Sequence, residues 1–314
     1  MTIGIGVLAT AVGKCDSLAL ASDTMGSIGD THSTPSISKT FIFPDERLYI
    51  VCADQIEKAS ERGGMIRIQL QRHPQRSHGS IQHALHLAVD DYRRQRCMYE
   101  ILSNYGLKSE NWLGPLDSEL RKAVIDDCLG LDMNCEMIIG TFTDEGQAIL
   151  YYIPNIAVEY QQDGTPTLRM VRVQAFPGFY TIGTGAASAH FWLCYRGHRL
   201  TYSPKRAAYY AFEAKLMADK SPFVNEKIEM AIATTDGHVH VKDSAPESGS
   251  WSLAEFRHMY RKYGPQSTEP LESIEIHQIL NFPKSIRNSR RRLNKAGTLV
   301  NRHIDIRIVS LPSQ

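Results

Sequence analysis

The order in which this chain alternates hairpins with helix pairs is what most narrows its fold. Residues 3–9 and 17–23 read as two apolar strands joined through Gly13 and Asp16. A second hairpin is predicted at 40–44 and 48–53, around Asp45-Glu46-Arg47, with Pro44 at a strand end where its missing N–H does little harm. Apolar residues spaced by three and four then predict two helices. One runs from Gln55 to Gln71, with Ile56, Ala59, Met65, Ile68 and Leu70 facing inward. The other covers 80–103, with Ile81, Ala84, Leu85, Ala88, Val89 and Tyr92 inward. A short helix is expected at 117–127, opened by Asp117 or Ser118. Strands resume at 136–142 and 147–153, at 156–160 paired with 168–173, and at 179–183. Helices at 186–195 and 204–218 follow, the second started by Ser203-Pro204, and a last hairpin spans 227–233 and 238–242 around Asp236-Gly237.

Hairpin-linked strands imply antiparallel sheets rather than a regular βαβ alternation. Each helix pair must then cover an outer sheet face. The expected fold is α+β: a four-layer αββα sandwich of two antiparallel sheets flanked by helices.

Composition adds mostly exclusions. The 314 residues are 42% hydrophobic and 22% charged with a formal net charge of +1, so no global field draws the chain to nucleic acid or membrane. No run of roughly 18 apolar residues is present, and the N-terminus lacks the basic region of a secretory signal. The six cysteines (15, 52, 97, 128, 135, 194) form no C-x-x-C pair and fit neither a zinc site nor a disulfide framework. Reduced thiols and a cytoplasmic location are the expectation. His238 and His240 share a strand face, but a metal site would need further ligands. Phe191, Trp192 and Tyr195 are read as core or subunit contacts. Residues 243–314, rich in Ser, Pro and charge with a basic cluster at Arg287, Arg290, Arg291, Arg292 and Lys295, read as an extension with a solvated face.

Chemistry enters at Thr2. If Met1 is removed, Thr2 carries a hydroxyl and a free α-amine on one residue, a nucleophile with its own base. Asp23 ends the second strand, and Lys39 opens the third after a Gly/Ser/Thr-rich loop from Met25 to Ser38.

The set Thr2, Ser22-Asp23-Thr24, Lys39 and Val51-Cys52-Ala53-Asp54 resembles the core of the proteasome β-subunit family of N-terminal-nucleophile hydrolases. In that family an N-terminal Thr begins the first strand, an acidic residue ends the second, and a Lys follows sixteen positions later, as Lys39 follows Asp23. Fourteen positions beyond the Lys the family has a Gly whose N–H forms the oxyanion hole; here that position is Ala53. Tyr180-Thr181-Ile182-Gly183-Thr184-Gly185-Ala186 resembles the family's turn into a helix, and Ile228-Glu229-Met230-Ala231-Ile232 its final strand pair. The resemblance covers roughly residues 2–75 and 178–242. It places an N-terminal-nucleophile domain at 2–242, with an insertion at about 94–133 and the extension after 242.

The resemblance implies roles. Thr2 would attack a peptide carbonyl to form an acyl ester. Lys39 would lower the amine's pKa, and Asp23 would fix Lys39 by a charge-assisted hydrogen bond. Ala53 N–H would stabilise the oxyanion, Thr184 and Asp219 would orient the amine and its water, and Ile37 and Val51 would line the pocket for an uncharged side chain. It implies no metal or organic cofactor. It implies a peptide or unfolded-protein substrate, a homo-oligomeric ring or related assembly, and an ATP-dependent unfoldase as partner. A small-molecule amidase or acylase of the same fold, and a non-catalytic assembly subunit, are the alternative readings.

Overall fold

The computed structural model describes residues 3–10, 16–28, 32–35, 37–107, 117–131, 135–154, 159–160, 166–167, 171–173, 178–221, 224–242 and 253–265. They fall within one compact unit, residues 1–276. In chain order the strands before the first helix are β1 (Ile3–Ala9), β2 (Ser17–Asp23), β3 (Met25–Ile28), β4 (His32–Pro35), β5 (Thr40–Phe43) and β6 (Leu48–Asp54). Helices α1 (Ile56–Arg72), α2 (His78–Arg96) and α3 (Ser118–Leu129) follow, then β7 (Cys135–Phe142) and β8 (Ala148–Ile153). The short strands β9 (Glu159–Tyr160), β10 (Pro166–Thr167) and β11 (Val171–Val173) precede β12 (Phe179–Gly183), α4 (Ala186–Tyr195) and α5 (Pro204–Ala218). The hairpin β13 (Ile228–Thr234) and β14 (Gly237–Lys242) and a last helix, α6 (Leu253–Tyr263), complete the described elements.

Two five-stranded antiparallel sheets form the middle. One has the order β12-β1-β2-β13-β14, the other β11-β8-β7-β6-β5. Helices α1 and α2 cover the second sheet through an aliphatic core that includes Leu48, Ile50, Ile66, Leu70, Ile81, Leu85, Val89, Met137 and Ile139. Helix α5 lies on β1 and β2, and α4 lies beside it on β1 and β12. Residues 207, 208, 211 and 214 of α5 are all alanine and all buried, so the helix backbone can sit close to the sheet. Ser203 caps α5 by accepting from Arg206 N–H, with Pro204 in the first turn. The architecture is a four-layer αββα sandwich, two antiparallel sheets flanked by helices.

Between the sheets pack Leu8, Leu18, Leu20, Val51, Ile138, Leu150, Ile182 and Ala231. The strand alternation of β1 turns Gly4 and Gly6 into this space. A Cβ at Gly4 would stand 2.7 Å from Ile182 Cγ1, and one at Gly6 would stand 2.8 Å from Ile138 Cγ2. These are closer than two carbons can approach, so β1 must carry glycine for the sheets to meet.

The structure departs from the sequence reading in four places. The loop after Asp23 contains a small hairpin, β3 paired with β4. Among the described residues of the expected pair 156–160 and 168–173, β9 pairs with β10, and β11 joins the edge of the second sheet at β8. The helix expected over 80–103 ends as α-helix at Arg96 and continues as one π-helical turn (Cys97–Ile101) and one 3₁₀ turn, stopped by Gly106 at φ +66°. Ile68 is 47% exposed; the inward face of α1 instead carries Arg62, Gly63, Ile66 and Gln69. Beyond the expected elements, α6 packs on α5, with Phe256 against Phe212 and the Tyr263 carbonyl accepting from Arg196. No helix among the described residues is long and apolar enough to cross a membrane.

Candidate active site

Several strand ends meet at one end of the inter-sheet space. In the first sheet β1 begins there, with Ile3 opposite Gly183 at the end of β12, and Asp23 at the end of β2 opposite Ile228 at the start of β13. In the second sheet the same end holds Lys39, one residue before β5, the end of β6, and the start of β7. Thr2 itself lies outside the described residues.

Asp23 has no exposed surface. Its Oδ1 accepts from the Lys39 ammonium at 2.8 Å and from the Ile3 N–H at 3.2 Å. Lys39 is 1% exposed, so the pair is a buried salt bridge crossing from one sheet to the other. Removing either charge alone would leave the other unpaired in a low-dielectric site, which costs several kcal/mol. The spacing that singled out these two residues in the sequence is the spacing that brings them together.

Asp219, the C-cap of α5, lies on the same side. Burial pushes its carboxyl up to about 6, against the opposing pull of the Lys215 ammonium bonded to it; the negative charges of Glu226 and Asp23 push it in the same direction as burial. Lys215 is fully buried and also donates to the Asn225 carbonyl. Asn225 in turn accepts from the Thr24 N–H at 3.3 Å, tying the loop after α5 to the residue after Asp23. The sequence reading passed over Lys215, although a Lys and an Asp four apart near a helix end are a legible pair.

The backbone register bears on Ala53. Cys52 N–H donates to the Lys39 carbonyl at 3.1 Å, so Cys52 points toward β5. In an antiparallel ladder successive residues point to opposite sides. Ala53 therefore faces β7, where Glu136 is its register partner, and its N–H is turned from Lys39. The next N–H that points past the start of β5 belongs to Asp54. On this alternation the Ala53 N–H faces β7, and the Asp54 N–H faces the β5 side.

The remaining expected residues separate. Thr184 is exposed, in the turn between β12 and α4 that follows Gly183 at φ +85°. That turn is held to the second sheet by Glu136, which accepts from Gly183 N–H at 3.2 Å and from the Tyr152 hydroxyl at 2.7 Å. Ile37 is half-buried and donates its N–H to the Thr24 carbonyl at 3.0 Å. Val51 does not line an open pocket: it has no exposed surface and packs among the inter-sheet residues, because odd-numbered positions of β6 face the other sheet.

A buried carboxylate that the sequence reading quoted only as part of a strand sits behind Lys39. Glu229, in β13, accepts from Lys39 N–H at 3.1 Å, from the Ser38 hydroxyl at 2.6 Å and from His240 Nε2 at 2.8 Å. Its signal in the sequence is a lone acid in the apolar run Ile228 to Ile232. The two histidines of β14 thus go separate ways: His240 is engaged by Glu229, and His238 lies against the Tyr49 ring.

No protein-family model matches the sequence, and no curated protein does. Among solved structures the chain is similar to Anbu (ancestral beta-subunit) from Yersinia bercovieri, with a TM-score of 0.53 and 13% sequence identity over 83% of this chain and 92% of that one. At that identity the likeness is one of fold, and it agrees with the two-sheet, helix-flanked architecture.

Proposed function

We propose that this protein is a threonine-type hydrolase that cuts peptide bonds through an acyl ester on Thr2, formed once Met1 is removed. The observation that carries the reading is the buried Lys39–Asp23 pair, whose carboxylate also receives the N–H of Ile3, the residue next to Thr2.

The chemistry follows from that arrangement. A threonine hydroxyl is a poor nucleophile until a base takes its proton. An α-amine titrates near 8, closer to neutrality than a lysine side chain. A neighbouring ammonium lowers that value and leaves the amine ready to accept the proton. Asp23 keeps the ammonium in place, and its own charge is balanced by it. The Asp54 N–H receives the oxyanion of the tetrahedral intermediate, a contribution on the order of 3 kcal/mol for one such donor. Asp219, ionised above about pH 6, orients the amine and the water that later cleaves the ester. The likeness in fold to a protein titled an ancestral beta-subunit fits a chain that works as one subunit of an assembly, and the reading extends to a homo-oligomeric, cytoplasmic peptidase served by an unfoldase.

The test is the intact mass and N-terminal sequence of protein treated with a peptidyl epoxyketone or β-lactone. A chain beginning at Thr2 with one adduct, absent in Thr2→Ala, is the expected result. A chain that keeps Met1 and takes no adduct would overturn the hydrolase reading in favour of a non-catalytic assembly subunit.

A further inference from the structure

We propose that Glu229 and His240 form a positioning pair that holds Lys39 on Asp23, an inference that rests on reading Lys39 as part of the nucleophile's machinery. Strand β5 is the edge of its sheet, so one side of its backbone has no neighbouring strand. Lys39 lies where the chain leaves the loop after Asp23 and enters that edge. Its carbonyl joins the ladder by accepting from Cys52, while its N–H leaves the ladder and donates to Glu229 Oε2. Lys39 is thus shared between the sheets, its carbonyl held by Cys52 on β6 and its N–H and ammonium held by Glu229 on β13 and Asp23 on β2 of the other sheet.

Glu229 is suited to hold the Lys39 peptide in this way. It is fully buried, its strand runs beside β2, and it stands in register with Ser22, the residue before Asp23. Both of its oxygens are used: Oε2 on the Lys39 peptide, Oε1 on the Ser38 hydroxyl and His240 Nε2. A buried carboxylate is costly unless its lone pairs are filled. His240, whose side chain is 27% exposed, supplies one of those donors and connects the pair to solvent. The first sheet therefore grips Lys39 twice, through the Asp23 carboxylate on its ammonium and the Glu229 carboxylate on its peptide.

The test compares four variants by steady-state kinetics on a fluorogenic peptide, by thermal unfolding, and by the ¹⁵N NMR signal of the Lys39 ammonium, assigned by its loss in Lys39→Arg. Glutamine at 229 offers one acceptor oxygen and a donor where two acceptors are needed. Glu229→Gln is expected to lower kcat about tenfold or more with KM little changed, and to shift the Lys39 signal. His240→Gln can present an amide N–H where Nε2 stood, so it should keep most of the wild-type rate, whereas His240→Leu should lose it several-fold. The proposal is overturned if folded Glu229→Gln retains both wild-type kcat and the wild-type Lys39 signal. It is equally overturned if His240→Leu matches wild type or His240→Gln is no better than His240→Leu, which keeps the test decisive should Glu229→Gln fail to fold. If wild-type protein itself shows neither turnover nor adduct, the hydrolase reading falls, and the Lys39 signal in the same variants still decides whether the pair positions the ammonium.

Discussion

The space between the two sheets has two unlike regions. Its middle is apolar, filled by Leu18, Leu20, Ile138, Leu150 and Ile182 across from the bare backbone of Gly4 and Gly6. Its end, where β1 begins, is ionic: Asp23 with Lys39, Glu229 with His240, and close by Asp219 with Lys215. The middle gains stability from close packing and loss of water. The end gains little, because burying a charge pair roughly cancels its attraction against desolvation. A fold that needed only stability would carry leucines at both places. Two carboxylate–ammonium pairs and the Glu229–His240 hydrogen bond gather where the strand ends meet, and there a cation carried by the second sheet, Lys39, is set against an acid of the first, Asp23.

The sharpest way to break this comparison is to remove charge from the ionic end. Lys39→Met should destabilise the protein by about 3–5 kcal/mol, since it strands Asp23 without a partner. The double variant Asp23→Leu/Lys39→Met should recover most of that loss and still take no epoxyketone adduct. Urea unfolding of both, with intact mass after inhibitor, checks this. A double variant as unstable as the single one would mean that the pair holds the sheets together by its attraction, and the contrast between the two regions would collapse.

How much of this was legible in the sequence follows the same division. The strands and helices of the middle were readable because period 2 and period 3.6 are local signals. The six residues of the second helix expected to face inward, Ile81 to Tyr92, are all buried. Asp23 and Lys39 were readable only as a pair, through spacing and resemblance, since each alone passes for a surface residue. Glu229 escaped because the partners that bring it to the site, Lys39 and Ser38, lie 190 and 191 residues away along the chain, a relation that no local pattern carries. The direction of the Ala53 N–H escaped for a related reason. Which side of a strand an N–H faces depends on the neighbouring strand's register, fixed here by the bond from Cys52 to Lys39, and residue counting cannot see it. Val51 reads as a pocket residue or a core residue equally well until the first sheet is placed over it.

In the apolar middle the expected effect is on stability alone. Leu150→Ala should cost about 2–5 kcal/mol by lost burial and the cavity left behind. The folded fraction should bind the inhibitor at close to the wild-type rate. An inhibitor rate that falls in step with stability would show that packing under β1 sets the site's geometry, and so that the two regions are coupled.

Next in size is a pH effect that belongs to the ionic end. The folded-state pKa of Asp219, about 6, lies above its ordinary 3.8, so the native protein binds more protons than the unfolded chain between roughly pH 4 and 6. Asp219 therefore makes stability fall as pH rises through that window and leaves it level above. Activity runs the other way: kcat/KM should rise through pH 6 as the carboxylate forms. Lys215→Met, which removes the cation opposing this shift, should move the acidic limb up by about one unit. A pH–rate profile in which the limb stays in place in Lys215→Met would remove Asp219 from the mechanism.

The smallest effect is expected where the site meets solvent. Thr184 is exposed in its turn, while the turn's position is set by Gly183 and its bond to Glu136. Thr184→Val keeps the shape of the side chain and removes only the hydroxyl. Exposed substitutions away from caps and cores change stability by less than about 0.5 kcal/mol, and loss of one solvent-competed hydrogen bond should lower the rate of adduct formation less than about tenfold. Glu136→Gln, which weakens the tie between turn and second sheet, should therefore be the more damaging of the two. If Thr184→Val instead abolishes the adduct, its hydroxyl must turn from solvent toward the nucleophile when substrate binds, and the boundary of the ionic region would have to be drawn to include the turn as well as the strand ends.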